Sequence, residues 1–207
     1  MVTWRVGAAA HADDSWKTWA DECEDGAAGS LEPRARVPAQ DTRSTLGVSM
    51  TWADLEVAAP EIARLGKERL DQARLALLGT LGADGSPRIS PVEPYLAQGH
   101  LLFGAMAWSS KAHDLLRDPR CVLHSAVSNP DSGEGELKLH GRAVEADHRI
   151  RDGCQAGWWI GRPSNVARVF SLDIDRAVFI SWDTDHGELI LRTWSQLGYR
   201  ETRRTYP

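Results

Sequence analysis

From Met50 onward, apolar and polar positions follow patterns that predict a series of short strands interrupted by two helices. The first helix is predicted to begin at Thr51, a suitable N-cap, because apolar residues recur at helical spacing as far as Leu70. A second helix of about two turns is predicted between Ser109, another N-cap residue, and Pro119, since helices end before proline. Short apolar or alternating runs predict strands at 75–81, 87–96, 101–106, 121–127, 136–145, 166–174, 177–182 and 188–194.

Two segments follow no clear period. Residues 147–165 predict a short helix and then an irregular stretch that contains Trp158 and Trp159. The polar tail 200–204 predicts a frayed end and not a strand. Closely spaced strands with one helix inserted midway are typical of a mainly β fold, a closed barrel with helices around it. They disfavour a doubly wound parallel sheet, in which helices and strands alternate.

Residues 1–49 differ in composition from the rest of the chain. They are rich in Ala, Asp, Gly, Pro and Arg and poor in aliphatic residues, which predicts a disordered extension ahead of a single domain at 50–207. Trp16 and Trp19 leave open a short amphipathic turn that docks on the domain. The alternative hypothesis is that translation starts at Met50, where the regular pattern begins.

Composition argues against several classes of function. The formal net charge of −5 gives no electrostatic reason to expect a nucleic acid or an anionic membrane as partner. No apolar run approaches the roughly 20 residues of a membrane span, and the N-terminal stretch lacks the apolar centre of a signal peptide, so we expect a cytoplasmic protein. The three cysteines form no CxxC pair and the seven histidines form no cluster with metal-ligand spacing, so neither a disulfide framework nor a metal site is expected.

The start of the second helix combines residues that suit an anion. A helix N-terminus presents free N–H groups and partial positive charge, and Ser109, Ser110 and Lys111 add two hydroxyls and an ammonium. These groups together predict a phosphate site; the alternative is that Lys111 points into solvent. In the second strand, Pro91 removes a backbone donor and therefore predicts an edge or a bulge. Arg88, in the same strand, either meets an anionic ligand along that edge or is a surface arginine.

Other motifs give little support for a reactive side chain. His124 lies mid-strand, which is more typical of a hydrogen-bonded core or interface histidine than of a general base. The chain has no GxSxG, P-loop or GxGxxG motif, so neither nucleophilic hydrolysis nor a Rossmann or Walker nucleotide site is predicted. No catalytic residue is therefore assigned, which suits a cofactor that carries the chemistry while the protein positions it.

Three stretches of the sequence resemble consecutive parts of the pyridoxamine 5'-phosphate oxidase-like superfamily of FMN-binding split barrels. Its opening hairpin resembles LALLGTLGADGSPRISPVEP. Its third strand, phosphate-binding helix and fourth strand resemble GHLLFGAMAWSSKAHDLLRDPRCVLHSAV, and its fifth strand resembles GELKLHGRAVE. The match extends over roughly residues 50–195. The resemblance implies a six-stranded antiparallel split barrel of the FMN-binding type, which forms a homodimer with two cofactor sites at the subunit interface.

The resemblance also implies which residues hold the cofactor. The second strand would line it, Met106 and Trp108 would flank its ring system, and the first turn of the mid-chain helix would hold its phosphate. The complete set is Arg88, Ile89, Ser90, Pro91, Val92, Met106, Trp108, Ser109, Ser110 and Lys111.

Two departures narrow the implied activity. Pyridoxine-oxidising members carry an arginine where this chain has Ser110 and a lysine near the position of Glu93. Because charge-assisted hydrogen bonds contribute about 1.5–3 kcal/mol each, these two losses argue against oxidation of pyridoxamine phosphate. The sequence instead predicts an oxidoreductase that moves a hydride between a small organic substrate and FMN. An 8-hydroxy-5-deazaflavin coenzyme, as in related branches, is the alternative cofactor.

Two further alternatives stay open. One is a non-catalytic dimeric split barrel that binds flavin without turnover or lacks a cofactor altogether. The other is haem binding on the same fold, with His124 or His140 as candidate ligands, although neither lies in a haem motif.

Overall fold

The computed structural model describes residues 50–127 and 134–205, which belong to one unit, Gly47–Pro207. The predictions about residues 1–49 lie outside the described residues. Two helices precede the sheet, α1 (Trp52–Ala58) and α2 (Pro60–Ala73). None of the helices in the described ranges is long and apolar enough to span a membrane.

The single helix predicted from Thr51 is in fact two helices. α1 begins with a capping box, in which the Asp54 N–H donates to Thr51 Oγ1 at 3.3 Å and the Thr51 N–H donates to Asp54 Oδ2 at 2.9 Å. The helical backbone ends at Ala59, whose φ is −148°, and α2 begins with Pro60. Proline lacks the N–H that would continue α1 and disfavours helical backbone in the residue before it, so the spacing of apolar residues was misleading here.

The remaining elements are strands, with one helix after the fourth strand and another after the sixth. The strands are β1 (Ala76–Leu81), β2 (Pro87–Val92), β3 (Pro94–Ala97), β4 (His100–Met106), β5 (Arg120–Ser125), β6 (Glu136–Glu145), β7 (Ala167–Asp183), β8 (Glu188–Ser195) and β9 (Gly198–Thr205). The two helices are α3 (Ser110–Arg117) and α4 (His148–Gly153).

Antiparallel pairing closes the first seven strands into a barrel. Their order is β2-β1-β5-β6-β7-β4-β3. β2 and β3 are separated by Glu93 alone, and they pair with β1 at one end and with β4 at the other. Counted as one bent segment, residues 87–97 complete a ring of six strands. The predicted six-stranded antiparallel split barrel is confirmed.

β7 joins the barrel to a C-terminal extension. The sequence predicted two strands at 166–174 and 177–182, but the structure has one strand of 17 residues that pairs with β4, β6 and β8. The register of β6 against β7 shifts between His140 and Gly141, which is a β-bulge. A Cβ on Gly141 would lie 1.9 Å from the Asp173 carbonyl oxygen, so only glycine allows the strands to approach here.

The predicted frayed tail is wrong, because residues 198–205 form β9 and pair with β8 along its whole length. Trp194 lies opposite Tyr199 and Arg192 opposite Glu201, so aromatic and charged cross-strand pairs stabilise the hairpin. Polar residues on both sides of the strand hid its alternation.

The core fills the barrel and the layer under α1 and α2. Leu78, Leu123 and Leu139 lie side by side on neighbouring strands and are fully buried. Phe103 and Phe170 stack with ring centroids 5.8 Å apart. Each fully buried side chain of this size contributes about 1.5–3 kcal/mol to folding. This packing fixes β1, β2 and β4, which surround the candidate site.

Candidate functional site

A cavity of about 630 Å³ opens beside the junction of β2 and β3, the end of β4 and the start of α3. Its volume lies in the range of roughly 300–1,000 Å³ that is typical of pockets for small molecules and cofactors. Six of the ten cofactor residues predicted from the sequence line it: Pro91, Val92, Met106, Trp108, Ser109 and Lys111. The structure adds further lining residues: Leu75, Glu93, Gly104, Ala105, Trp158 and Arg162.

Side chains of helix α3 reach the free edge of β2. β2 is terminal in the strand order and contains Pro91, so the edge predicted from that proline is present. Side chains link the helix to this strand: Lys111 Nζ donates to the Pro91 carbonyl at 2.7 Å, and Arg88 Nε donates to Asp114 Oδ2 at 2.8 Å. The helix therefore fixes the strand that forms one wall of the cavity.

The start of α3 concentrates positive charge at the cavity. Ser109 is the N-cap: its hydroxyl donates to the Met106 carbonyl at 2.7 Å, and its oxygen accepts the Ala112 N–H at 3.4 Å. The first turn contains no acidic residue that would offset the helix dipole. Burial lowers the pKa of Lys111 below its ordinary value, because the ammonium is poorly solvated there. An anion bound at this point would be stabilised by both the dipole and the ammonium.

Four of the predicted residues lie elsewhere. Ser110 is exposed and Ser90 is half-buried, and neither lines the cavity. Arg88 and Ile89 line a separate groove of about 430 Å³. That these four residues contact a cofactor stays a prediction.

A buried carboxylate holds Arg88 in place. The Asp114 side chain is only 4% exposed, and it accepts bonds from Thr80 Oγ1 at 3.0 Å, Arg88 Nε at 2.8 Å and Arg117 Nη2 at 3.2 Å. Burial by itself raises the pKa of Asp114, but the bonds from its three partners outweigh this effect and lower the pKa below its ordinary value. Asp114 is therefore ionised, and it ties α3 to β1 and β2.

Tryptophan side chains from the segment between α4 and β7 form an aromatic wall of the cavity. Trp158 lines the cavity, and the Arg162 guanidinium lies 5.8 Å from its ring centroid, within cation–π distance. The neighbouring Trp159 is fully buried and contacts the Trp158 ring edge-on, with centroids 6.1 Å apart. A Cβ on Gly104 would lie 2.6 Å from Trp159 Cε3 and 2.9 Å from Trp158 Cζ2, so glycine in β4 makes room for both rings.

Sequence reasoning missed Gly104 and Arg162. Arg162 lies in the irregular segment 147–165, where no period relates a residue to the sheet. Gly104 lies inside an apolar strand, and a glycine in such a place signals the close approach of another group. That signal was present in the sequence, although it does not say which group approaches.

Glu93 is the one carboxylate among the described residues that line the cavity. It occupies the single position between β2 and β3, and Tyr95 Oη donates to its Oε2 at 3.1 Å. The lining also contains two basic residues, Lys111 and Arg162. The charge balance of the lining therefore favours an anionic ligand.

The two histidines considered as haem ligands do not line the cavity. His124 Nδ1 lies 2.6 Å from the Ser125 carbonyl oxygen, and its Nε2 lies 3.4 Å from Glu136 Oε2. His140 lines the same groove as Arg88. Within the ranges that the structure describes, no group of three His, Cys, Asp or Glu residues is arranged to hold a metal ion.

Comparison with known proteins gives both a sequence match and structural matches. The sequence profile of the family described as pyridoxamine 5'-phosphate oxidase matches residues 65–177, more than half of the chain. No curated protein sequence matches. A pyridoxamine 5'-phosphate oxidase-related, FMN-binding protein of Nostoc punctiforme is 13% identical; 70% of this chain and 95% of that chain are covered, with a TM-score of 0.50.

Two other solved structures share the fold. PhzG from Burkholderia lata, in complex with tetrahydrophenazine-1-carboxylic acid, is 11% identical, with 73% of this chain and 91% of that chain covered and a TM-score of 0.52. A heme binding protein from Mycobacterium smegmatis is 15% identical, with 71% and 89% covered and a TM-score of 0.50. At these identities the likeness concerns the fold alone. The profile match and the split barrel together show that the chain belongs to the pyridoxamine 5'-phosphate oxidase family.

Proposed function

We propose that the protein is an oxidoreductase that uses FMN, or an 8-hydroxy-5-deazaflavin coenzyme in its place, to move a hydride to or from a small organic substrate. The observation that carries this proposal is the cavity at the start of α3, where a partly buried lysine, a helix N-terminus and an aromatic wall meet. Membership of the family and the FMN-binding relative of Nostoc punctiforme support a flavin as the cofactor.

The residues of the cavity fit the phosphate of such a cofactor. The first N–H groups of a helix have no partner within it, and Lys111 adds an ammonium at the same place. To bind the phosphate, Lys111 would share or exchange its 2.7 Å bond to the Pro91 carbonyl. Pyridoxine-oxidising members carry an arginine at the position of Ser110. In this chain Arg162, which lies over the Trp158 ring, would supply the second cation instead.

The apolar lining fits a flat ring system. Met106, Trp108 and Trp158 would pack against it, since thioether and aromatic side chains bind conjugated rings through dispersion. When bound, a flavin-type cofactor supplies the hydride transfer itself. The protein residues would orient the substrate and exclude water. With Oε2 of Glu93 bonded to Tyr95, Glu93 Oε1 is the oxygen offered to a donor group of the substrate.

We also propose that the protein forms a homodimer in which the partner subunit completes the cavity. Large apolar side chains that line the cavity are exposed: Trp108 by 77%, Leu75 by 47% and Met106 by 41%. Neighbouring exposed apolar residues of this kind are typical of interfaces. Light scattering coupled to size-exclusion chromatography should give a mass twice that of the 22.8 kDa chain, and the mass of a monomer would contradict the proposal. The cytoplasmic location stays a prediction from the sequence.

The proposed cofactor site is tested by fluorescence titration of the full chain with FMN and with the deazaflavin, repeated for Lys111→Ala. We expect saturable binding of at least one cofactor and at least about a tenfold weaker affinity in the variant, because one charge-assisted bond is lost. Lys67→Ala is the matched control, since Lys67 lies on the exposed side of α2 and pairs with Asp71 at 2.6 Å.

Failure to bind either cofactor would contradict the proposed function. Equal affinity in Lys111→Ala and wild type would show that the phosphate lies elsewhere. A bound cofactor whose absorbance no substrate or reductant changes under anaerobic conditions would favour the non-catalytic alternative.

A further inference from the structure

The C-terminal hairpin presents two faces of different chemistry. Directly opposed residues of antiparallel strands lie on the same face of a sheet. On one face, buried Ile190 and Trp194 of β8 pack on the core. On the other face, Thr193 lies opposite Arg200, and Leu189 lies opposite Arg204. Arg176 of β7 joins this second face, because it lies opposite Ser195 of β8.

The arginines of the core-side face have carboxylate partners. Arg192 Nε lies 3.3 Å from Glu201 Oε2, and Arg203 Nη1 lies 3.0 Å from Glu188 Oε2. Arg176, Arg200 and Arg204, on the opposite face, form no ion pair with any carboxylate in the described ranges. The same hairpin therefore neutralises its arginines on one side and leaves them uncompensated on the other.

The three uncompensated arginines line one groove of about 470 Å³. Hydroxyl groups accompany them, and no aspartate or glutamate is among the described lining residues. The polar lining is Arg176, Arg200, Arg204, Thr193, Thr202 and Ser195, together with Tyr199, whose hydroxyl donates to Glu201 Oε2 at 3.4 Å. Guanidinium groups bind phosphate oxygens through paired N–H donors, and hydroxyls supply further donors, so this lining matches a small multivalent anion.

On the strand next to Arg176, the opposed residue adds no negative charge. His140 of β6 lies opposite Arg176 of β7. Burial lowers the pKa of His140, and the charges of Arg176 and Lys138 lower it further. His140 is thus shifted toward its neutral form, and Lys138 pairs with Glu136 at 2.5 Å, so the uncompensated charge is that of the three arginines, in a chain whose net charge is −5.

We propose that this groove, here called the arginine groove, binds a small multivalent anion of the phosphate type. The site is separate from the candidate cofactor cavity, because the two share no lining residue. A bound anion would offset the mutual repulsion of three like charges, which no described side chain does. This inference goes beyond the proposed oxidoreductase function and does not depend on it.

The test is isothermal titration of the full chain with inorganic pyrophosphate at constant ionic strength. Three variants accompany the wild type: the double variant Arg200→Ala with Arg204→Ala, the matched control Arg203→Ala on the opposite face, and Lys111→Ala in the cofactor cavity. We expect saturable binding that is at least about tenfold weaker in the double variant and unchanged in the other two. The double variant Arg200→Lys with Arg204→Lys should retain part of the affinity, because lysine keeps the positive charge but lacks the paired N–H donors of the guanidinium group.

Four outcomes would overturn the proposal. Wild type that shows no saturable binding excludes the site. An equal loss in Arg203→Ala means that affinity follows total charge, and a loss in Lys111→Ala alone means that pyrophosphate occupies the cofactor cavity. Light scattering on the same samples adds a further check. A double variant that changes oligomeric state in the absence of pyrophosphate would assign the groove to a second copy of the chain instead.

Discussion

The free edge of β2 and the arginine groove both gather cationic side chains, but only the first gives them protein partners. Beside β2, Lys111 donates to the Pro91 carbonyl and Arg88 donates to Asp114. In the groove, Arg200 forms no ion pair with a described carboxylate. A cation that already bonds a protein acceptor stabilises the fold and binds a ligand only by sharing or exchanging that bond, whereas a solvated cation is directly available to a ligand. We therefore expect substitutions around α3 to change stability as well as cofactor binding, and substitutions in the groove to change anion binding alone.

The largest effect on stability is expected from Asp114→Asn. The substitution removes the buried charge that Thr80, Arg88 and Arg117 share, and we expect it to lower the free energy of unfolding by about 2–3 kcal/mol. Urea denaturation measures the change. Asp71→Asn is the control: it breaks an exposed pair with Lys67, which should cost about 0.5 kcal/mol or less. Equal losses in the two variants would show that the buried network around Asp114 contributes no more to stability than an exposed ion pair.

Acid should weaken the same network. The folded pKa of Asp114 lies below its ordinary value of 3.8, so ionised Asp114 stabilises the fold at pH values above that ordinary value. The contribution is lost as the pH falls through the lower, folded pKa. The difference in unfolding free energy between wild type and Asp114→Asn should therefore shrink below pH 3.8. A difference that stays constant into this range would show that Asp114 is not held as an ionised group.

A smaller effect on stability, joined to an effect on the cavity, is expected from Gly104→Ala. The added methyl would meet Trp159 Cε3 at 2.6 Å, so both tryptophan rings must shift. We expect a loss of about 1–2 kcal/mol and weaker cofactor binding, measured by denaturation and by titration. Lys67→Ala is the control, because Lys67 is exposed and does not line the cavity. If Gly104→Ala bound the cofactor with full affinity, the two tryptophan rings would not contribute to cofactor binding.

The smallest effect on stability is expected in the groove. Arg200→Ala with Arg204→Ala removes two charges that no described carboxylate pairs, so the free energy of unfolding should change by no more than about 0.5 kcal/mol. The double variant also removes the repulsion between these two arginines and Arg176, which would raise the free energy of unfolding slightly. The measurement is urea denaturation at low ionic strength. A loss as large as that of Asp114→Asn would mean that the groove arginines hold the fold.

Local signals in the sequence predicted the features that depend on a few neighbouring residues. The Ser109 cap, the end of α3 before Pro119 and the edge marked by Pro91 belong to this group. The features that were missed lack such a local signal. β9 is held by its pairing with β8, and Arg162 reaches the cavity from a segment without a period. Neither contact leaves a pattern in the local spacing of apolar residues.

The central claim, that the start of α3 binds the phosphate of a flavin, is tested most directly by comparing FMN with riboflavin, which lacks the phosphate. We expect wild type to bind FMN at least about tenfold more tightly than riboflavin, since a charge-assisted phosphate contact contributes about 1.5–3 kcal/mol. Lys111→Ala should lose most of this preference, and the groove variant Arg200→Ala with Arg204→Ala should keep it. Equal affinity of the wild type for FMN and riboflavin would contradict the claim.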